Sequence, residues 1–412
     1  MEEATINGVR SHTARGAQRP EPQRVAILGT LPPLRGLSSY CLELALSMAA
    51  LTEVEFISFK KLYPEAIYPG GALKEDHSFP SAGHPGLKTG RRLTWYNPLT
   101  WLREGFRGRC ALLHAQWWSL FLFPVYFVIC STFKLRRKPV VFTVHNTLPH
   151  EKSFLYRKLS RLLFLTGNHF VVHTSSNKTQ MTADYGIPPE KVSVIPHGTL
   201  DFHVKPHVDR KALREEMGFD AGHKVILLFG AVRPYKGYKT ALHAFATLIA
   251  KRPECRLIVA GKLWESWGPY RELIQRLKIK EFVTTFLEYI PAGEVYRFFS
   301  VADLVILPYH HFDGQSGVGS TAVSFRKPLI VSRVGGLPDL VCDPRCVVPP
   351  QDPSALADAL DGCLQNPDRL EGMVNDAGRV AHELSWAAIA EKTFAVYQDV
   401  LDASRHACGV SS

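Results

Sequence analysis

Between Ala302 and Val341 the chain writes one pattern twice: a short apolar run, then a glycine-rich turn. Leu304 to Leu307 is apolar throughout and is stopped by Pro308, which reads as a strand buried on both faces. The loop FDGQSGVGS follows, with three glycines among small polar residues. Such a loop brings backbone close to a ligand and points several N–H groups one way. Thr321 to Phe325 is expected to open a helix, whose N-terminus adds a partial positive charge. A second apolar run, Pro328 to Val331, leads to Gly335-Gly336. Strand, glycine loop, helix, strand predicts a parallel α/β sheet that binds its ligand at the carboxyl ends of the strands.

The same punctuation runs through the rest of the chain. Arg24–Gly29, Val54–Phe59, Ala111–His114, Pro139–Val144, Phe170–Val172 and Val192–Ile195 read as strands of a first unit. A helix is expected from Ser38 to Leu51, with Ser38 or Ser39 as its cap. Lys224–Phe229, Arg256–Ala260 and Val283–Leu287 restart the pattern in a second unit, with helices over 240–250 and 294–302. After Val341 come a strand, Cys346–Val348, helices over 353–364 and 367–384, and a last helix from Ser385-Trp386 to about Leu401. Two domains suit 412 residues, which exceed one ordinary core. Residues 62–93 are rich in Pro and Gly and read as a long loop.

Charge is unevenly placed. Residues 1–200 hold 24 Lys and Arg against 13 Asp and Glu, so the whole net charge of +11 lies in the first half. A one-sided basic field points to an anionic surface or substrate. Trp117–Phe133 carries no charge and precedes KLRRK, but Pro124 interrupts it. It reads as a helix of the first sheet, buried or membrane-facing, and is too short for an ordinary span. Eight scattered cysteines without a CxxC or zinc spacing point to a reduced, cytoplasmic protein, peripheral on the membrane if the basic field meets one. The polar first 23 residues read as a disordered tail without a signal-peptide core.

Three places carry chemistry. Arg233 and Lys236 bracket a Pro-Tyr turn just before a helix, where a guanidinium fork and an ammonium suit a diphosphate. His145 ends a predicted buried strand beside the expected cleft. The loop at Arg35-Gly36 is either a phosphate-approaching turn or an ordinary βα connection.

These segments resemble retaining glycosyltransferases of family four. The 302–341 stretch is similar to their donor-sugar end, with Asp313 and Thr321 standing where many members carry two glutamates, and Arg326 where a glycine is usual. Gln315-Ser316-Gly317 matches a run found in a subset. The segments at His145-Asn146, HTSSNK, Pro196-His197-Gly198, the Arg233–Lys236 turn and Glu288-Tyr289-Ile290-Pro291 match further motifs in the same order. The resemblance implies a GT-B-like fold, two Rossmann-type doubly wound parallel-sheet domains facing across a cleft. It divides the chain into a tail (1–23), an acceptor-side domain (24–199), a nucleotide-sugar domain (200–384) and a terminal helix with tail (385–412) packing back on the first domain.

The activity it implies is retaining transfer of a hexose-type sugar from a nucleotide diphosphate sugar to a hydroxyl of a glycan or lipid-linked acceptor. No further cofactor, metal or nucleic acid is expected. His145 and Asp313 are the implied catalytic residues. Arg233, Lys236, Gly36, Glu288, Ile290, Gln315, Ser316, Gly317 and Thr321 are the implied donor-binding ones. Two alternatives stay open: a GT-B protein that binds a nucleotide sugar without transferring it, and an epimerase of the same fold.

Overall fold

The computed structural model describes residues 24–34, 37–64, 76–79, 83–147 and 154–407. The first unit contains β1 (Val25–Leu28), α1 (Ser38–Ala49), β2 (Val54–Lys61), β3 (Leu87–Thr94), α2 (Pro98–Phe106), β4 (Leu112–Trp117) and α3 (Phe123–Leu135). It continues with β5 (Val140–Val144), α4 (Phe154–Phe164), β6 (His169–Val172), α5 (Ser175–Tyr185) and β7 (Val192–Val194). The second unit runs through α6 (Arg210–Glu216), β8 (Lys224–Phe229), α7 (Tyr238–Ile249), β9 (Cys255–Ala260), α8 (Gly268–Arg276), β10 (Val283–Phe286) and α9 (Val295–Val301). Then come β11 (Leu304–Leu307), α10 (Gly317–Ser324), β12 (Leu329–Ser332), β13 (Val347–Val348), α11 (Pro353–Leu364), α12 (Pro367–Glu383) and α13 (Trp386–Ala407).

The strands form two sheets, β3-β2-β1-β4-β5-β6-β7 and β10-β9-β8-β11-β12-β13. Every pairing between neighbouring strands is parallel. Parallel ladders need crossovers, which cover both faces with helices and leave the strands dry. Accordingly β1, β4, β5, β11 and β12 are buried at every position. Both orders reverse direction beside their first strand, between β1 and β4 and between β8 and β11. Ligands bind outside such switch points, at the carboxyl ends of the strands.

Several expectations change in detail. Ser38 and Ser39 lie inside α1; Leu37 occupies the cap position, with no side-chain cap. The long loop over 62–93 closes with β3, which pairs with β2 at the sheet edge. Its alternation is spoiled by charged residues on the exposed side, so no apolar run announces it. The charge-free segment splits into the end of β4, a short 3-10 turn at Leu120–Leu122, and α3, whose inner side packs on the first sheet. No helix among the described residues is long and apolar enough to cross a membrane. The first 23 residues lie outside the described part.

The terminal helix α13 runs six residues beyond Leu401, to Ala407. It packs back on the first unit, where Trp386, Ile389, Tyr397 and Val400 join the core formed with Tyr40, Leu44 and Met48 of α1. The Trp386 indole donates to the carbonyl of Thr199 and covers Gly198, where a Cβ would lie 2.5 Å from the ring. Only glycine lets the indole approach that closely. Trp386→Ala should lower unfolding stability by about 3–5 kcal/mol through the cavity it leaves. Urea titration of the purified variant measures this, and a change under about 1 kcal/mol would show that α13 docks without its indole.

Candidate functional site

The second switch point gathers cations and amides. After β8 the chain turns at Gly230, whose φ of +109 and nearness to a side chain both demand glycine: a Cβ there would sit 2.4 Å from Lys236 Nζ and 3.1 Å from Val318. Lys236 is therefore held against the first turn of α10. It is only 7% exposed, and its ammonium has no hydrogen-bond or carboxylate partner among the described residues. It lies over the Tyr309 ring face, 5.4 Å from the centroid. Burial pushes its pKa below the usual lysine value, and the Arg233 charge adds to this against an opposing effect from Tyr235. The Arg233 guanidinium carbon lies over the Trp264 indole, 3.7 Å from the ring centroid, in a cation–π contact.

Opposite the two cations, Ser316 caps α10 by accepting from Gly319 N at 3.3 Å, and its hydroxyl meets Tyr309 OH at 3.2 Å. The first-turn amides of Gly317 and Val318 are left without intrahelical acceptors. The helix thus starts at Gly317, four residues before the expected Thr321, because a serine cap outcompetes the glycines' freedom to continue the loop. Thr321 sits within the helix, buried, and its hydroxyl donates to Gly317 O at 2.8 Å. Its hydrogen is committed to its own backbone and only lone pairs remain for a ligand.

A pocket of about 270 Å³ lies where the two units meet, lined by His145, His173, His197, Asn177, Trp118, Asp313 and Gln315 among others. Asn177 donates to the Asp313 carbonyl at 2.7 Å, while the Asp313 carboxylate stays exposed. Gln315 accepts from the backbone N–H of His197, so this glycine loop is pinned on the first unit. Glu288 is exposed and Ile290 half-buried. Between them, Tyr289 OH donates to Asp76 of the first unit at 2.7 Å, and Ala292 N donates to the same carboxylate at 3.0 Å. Burial works against the charge of Asp76, but hydrogen bonds from Ser78, Ala292 and Tyr289 outweigh it and hold the pKa low. Gly36 lies outside the described residues. Among the described residues no group of three His, Cys, Asp or Glu is placed to hold a metal ion.

His145 belongs to a buried chain whose hydrogen positions follow from one fixed acceptor. The Ile195 carbonyl faces His173 Nδ1 at 3.0 Å, so that nitrogen carries the hydrogen and the uncharged ring accepts at Nε2. His145 Nδ1, 3.0 Å away, is then the donor, and His145 Nε2 must accept. Facing Nε2 at 3.0 Å is the Gln116 carboxamide, which also lies 3.2 Å from His114 Nε2. Neutral rings require the amide nitrogen toward His145 and the oxygen toward His114, an exchange of isosteric groups. His114 in turn accepts at Nδ1 from Tyr397 OH of α13, 2.6 Å away. Both ring nitrogens of His145 are engaged, and its edge rests on Tyr40 at 4.7 Å.

The sequence singles out His145 and the cations, touches His173, Asn177 and His197 only as parts of matching motifs, and passes over Gln116, Trp264 and Asp76. His173 and His197 follow β6 and β7, so the carboxyl-end rule marks them; Asp76 and Trp264 carry no local signal.

Burial disfavours the charged form of every ring in this group. It lowers His173 and His197 to about 4, His114 to about 3, and His145 well below its ordinary value, with His173, His197 and His114 adding to the shift there. Between pH 6.5 and 4 the unfolded chain therefore binds protons that the folded one refuses. Stability should be level above about pH 7 and fall as pH drops from 6.5 toward 4, by up to about 1.4 kcal/mol per pH unit for each histidine. Denaturant midpoints across that range measure it; a flat profile down to about pH 4.5 would mean the rings are protonated in the fold.

Comparison with known proteins agrees with this layout. Residues 34–199 match the family model for Glycosyltransferase Family 4, and residues 209–380 match Glycosyl transferases group 1. The D-inositol 3-phosphate glycosyltransferase of Corynebacterium efficiens is 27% identical over 65% of this chain and 68% of its own length. That of Segniliparus rotundus is 29% identical over 58% of this chain and 54% of its own. In structure, sucrose-phosphate synthase from Thermosynechococcus elongatus aligns with a TM-score of 0.69 at 19% identity, covering 92% of this chain and all of that one. Anabaena HepE, solved with UDP-glucose, aligns with a TM-score of 0.67 at 14% identity, with 92% and 100% covered. At these identities the structural likeness speaks for the fold alone. The two family models adjoin and together span most of the chain, which belongs to the family-four glycosyltransferases, group 1, of GT-B fold.

Proposed function

We propose that this protein transfers a hexose-type sugar, with retention, from a nucleotide diphosphate sugar to a hydroxyl acceptor of a lipid-linked or cell-envelope glycan. One observation carries the reading: Lys236 is a buried ammonium without an anionic partner among the described residues, beside Arg233 and the opening of α10. An unpaired buried cation is costly, and a diphosphate would remove that cost. Relatives named as inositol phosphate glycosyltransferases, and the UDP-glucose complex of HepE, make a UDP-sugar the first donor to test.

In this reading the bond between the anomeric carbon and the phosphate oxygen breaks as the acceptor oxygen bonds to the same face of that carbon. The acceptor's proton passes to the departing phosphate oxygen. Arg233, Lys236 and the Gly317 amide stabilise the charge developing on the leaving diphosphate. Among the described lining residues Asp313 is the one carboxylate, which favours front-face attack over a double displacement. Asp313 orients sugar hydroxyls, and Glu288 and Ile290 flank the nucleobase. The Thr321 oxygen retains lone pairs toward the ribose, and Gln315 and Ser316 hold the loop. His145, with both nitrogens engaged, shapes the pocket wall through its ring and carbonyl instead of shuttling a proton. The protein works in the cytoplasm, at the membrane where its acceptor resides.

Incubation with a panel of UDP-, GDP- and dTDP-sugars, measuring released nucleotide and the anomeric form of the product, tests the reading. Arg233→Ala should weaken donor binding by about tenfold or more, the loss of one charge-assisted contact of about 1.5–3 kcal/mol. Lys236→Met should do the same while raising the thermal midpoint of the ligand-free protein, since it deletes an uncompensated buried charge. Unchanged donor affinity in both variants by calorimetry would move the diphosphate site elsewhere. A lower midpoint for Lys236→Met would show the ammonium to be already compensated.

A further inference from the structure

Most of the exposed large apolar side chains of the first unit lie on α2, α3 and α4 or just past their ends. These helices lie side by side. Just past α3, Arg136 donates to the carbonyls of Gly105 and Gly108 at 2.9 and 2.7 Å, at the end of α2. Near the end of α3, Lys134 donates to the carbonyl of Leu165, just past α4, at 2.5 Å. These ties bring Phe106, Leu135 and Leu165 to one end of the layer, where they are 55%, 76% and 67% exposed. Along α2, Leu99 and Leu102 share a helical face with Phe106, and Leu99 is 74% exposed. Leu155 and Leu162 of α4 are exposed as well. Apolar exposure on this scale, gathered on one face, marks a contact surface.

The charges narrow the partner. From Trp95 to Thr147 the only acidic residue is Glu104, which is 2% exposed and bound to Arg92 at 2.8 Å. The sequence of α4 holds no acid either. Arg103, Arg109, Arg137, Arg157 and Arg161 are exposed, and none forms an ion pair among the described residues. A second copy of the chain would press like charges together across a two-fold interface. An anionic surface would not.

We propose that the α2–α3–α4 face docks on an anionic lipid bilayer. Leu99, Leu102, Phe106 and Leu135 enter the headgroup boundary while the arginines pair with lipid phosphates. This deepens the membrane part of the reading above, and moves the apolar contact from 117–133, whose helix is mostly covered, to its neighbours. The face also adjoins the cleft, since α3 begins five residues after Trp118 of the pocket lining. A lipid-linked acceptor would reach the pocket along that edge.

Flotation of the full chain with vesicles of phosphatidylcholine alone, or mixed equally with phosphatidylglycerol, tests the proposal. The protein should float with the mixed vesicles only and be released as salt shortens the screening length. Leu99→Ser with Leu102→Ser and Phe106→Ser should lower partitioning by about tenfold or more. Arg103→Ser with Arg109→Ser and Arg137→Ser should lower it on the order of a hundredfold. Both triple variants should keep the wild-type thermal midpoint. Equal flotation with both vesicles, or variants that float like the wild type, would overturn it. So would a dimer in light scattering that the apolar variant dissolves, which would assign the face to a second copy. Vesicle binding that persists in a protein releasing no nucleotide would sink the transfer reading and leave this one standing.

Discussion

The parallel ladder is the constraint from which the rest of this molecule follows. Parallel strands cannot be joined by hairpins, so each must be followed by a crossover that returns the chain to the same edge. Every strand then ends on the same side of its sheet, and every loop bearing a functional side chain opens there. The loops after β8 and β11 meet because those strands are neighbours, although Lys236 and Ser316 are eighty residues apart. The same logic places His145, His173 and His197 side by side after β5, β6 and β7.

Two kinds of buried polar group share this cleft, and they are treated in opposite ways. The histidines are kept neutral, each nitrogen of His145 and His173 matched to a partner, so the wall they form carries no charge and is fixed in orientation. Among the described residues Lys236 has no counter-charge, and Arg233 rests on an aromatic face. Neutral, satisfied groups on the first unit and uncompensated cations on the second favour an anion on the second unit's side. The pocket also depends on the chain's two crossings between units. Tyr397 of α13 reaches the histidine chain through His114, so the last helix helps to fix the wall although it lies far away in sequence.

Asp76 has a different task. Its carboxylate accepts from the segment of the second unit that follows β10, and joins the two units on the edge away from the histidines. Together with Asn177 on the Asp313 carbonyl and Gln315 on His197, it ties the two units across the cleft with polar contacts. Polar clasps of this kind exchange readily with water, so they hold one arrangement without welding the units into a single core.

The sequence by itself determined the parallel α/β architecture, because uninterrupted apolar runs ended by Gly or Pro can only be strands dry on both faces. It also determined Arg233 and Lys236 as a cation pair ahead of a helix and His145 at a strand end, since those depend on neighbours in the chain. Tertiary structure decided where α10 begins, because the Ser316 cap competes with a glycine loop that local propensity favours equally. It decided that Thr321 bonds to its own helix, that the Ile195 carbonyl sets the hydrogen positions of His145 through His173, and that Lys236 is buried without a partner among the described residues. Each of these depends on residues brought together by crossovers, at separations no local pattern records. The exposed face of α2 is the same kind of case. Only packing against α3 shows that its Leu99 and Leu102 point outward.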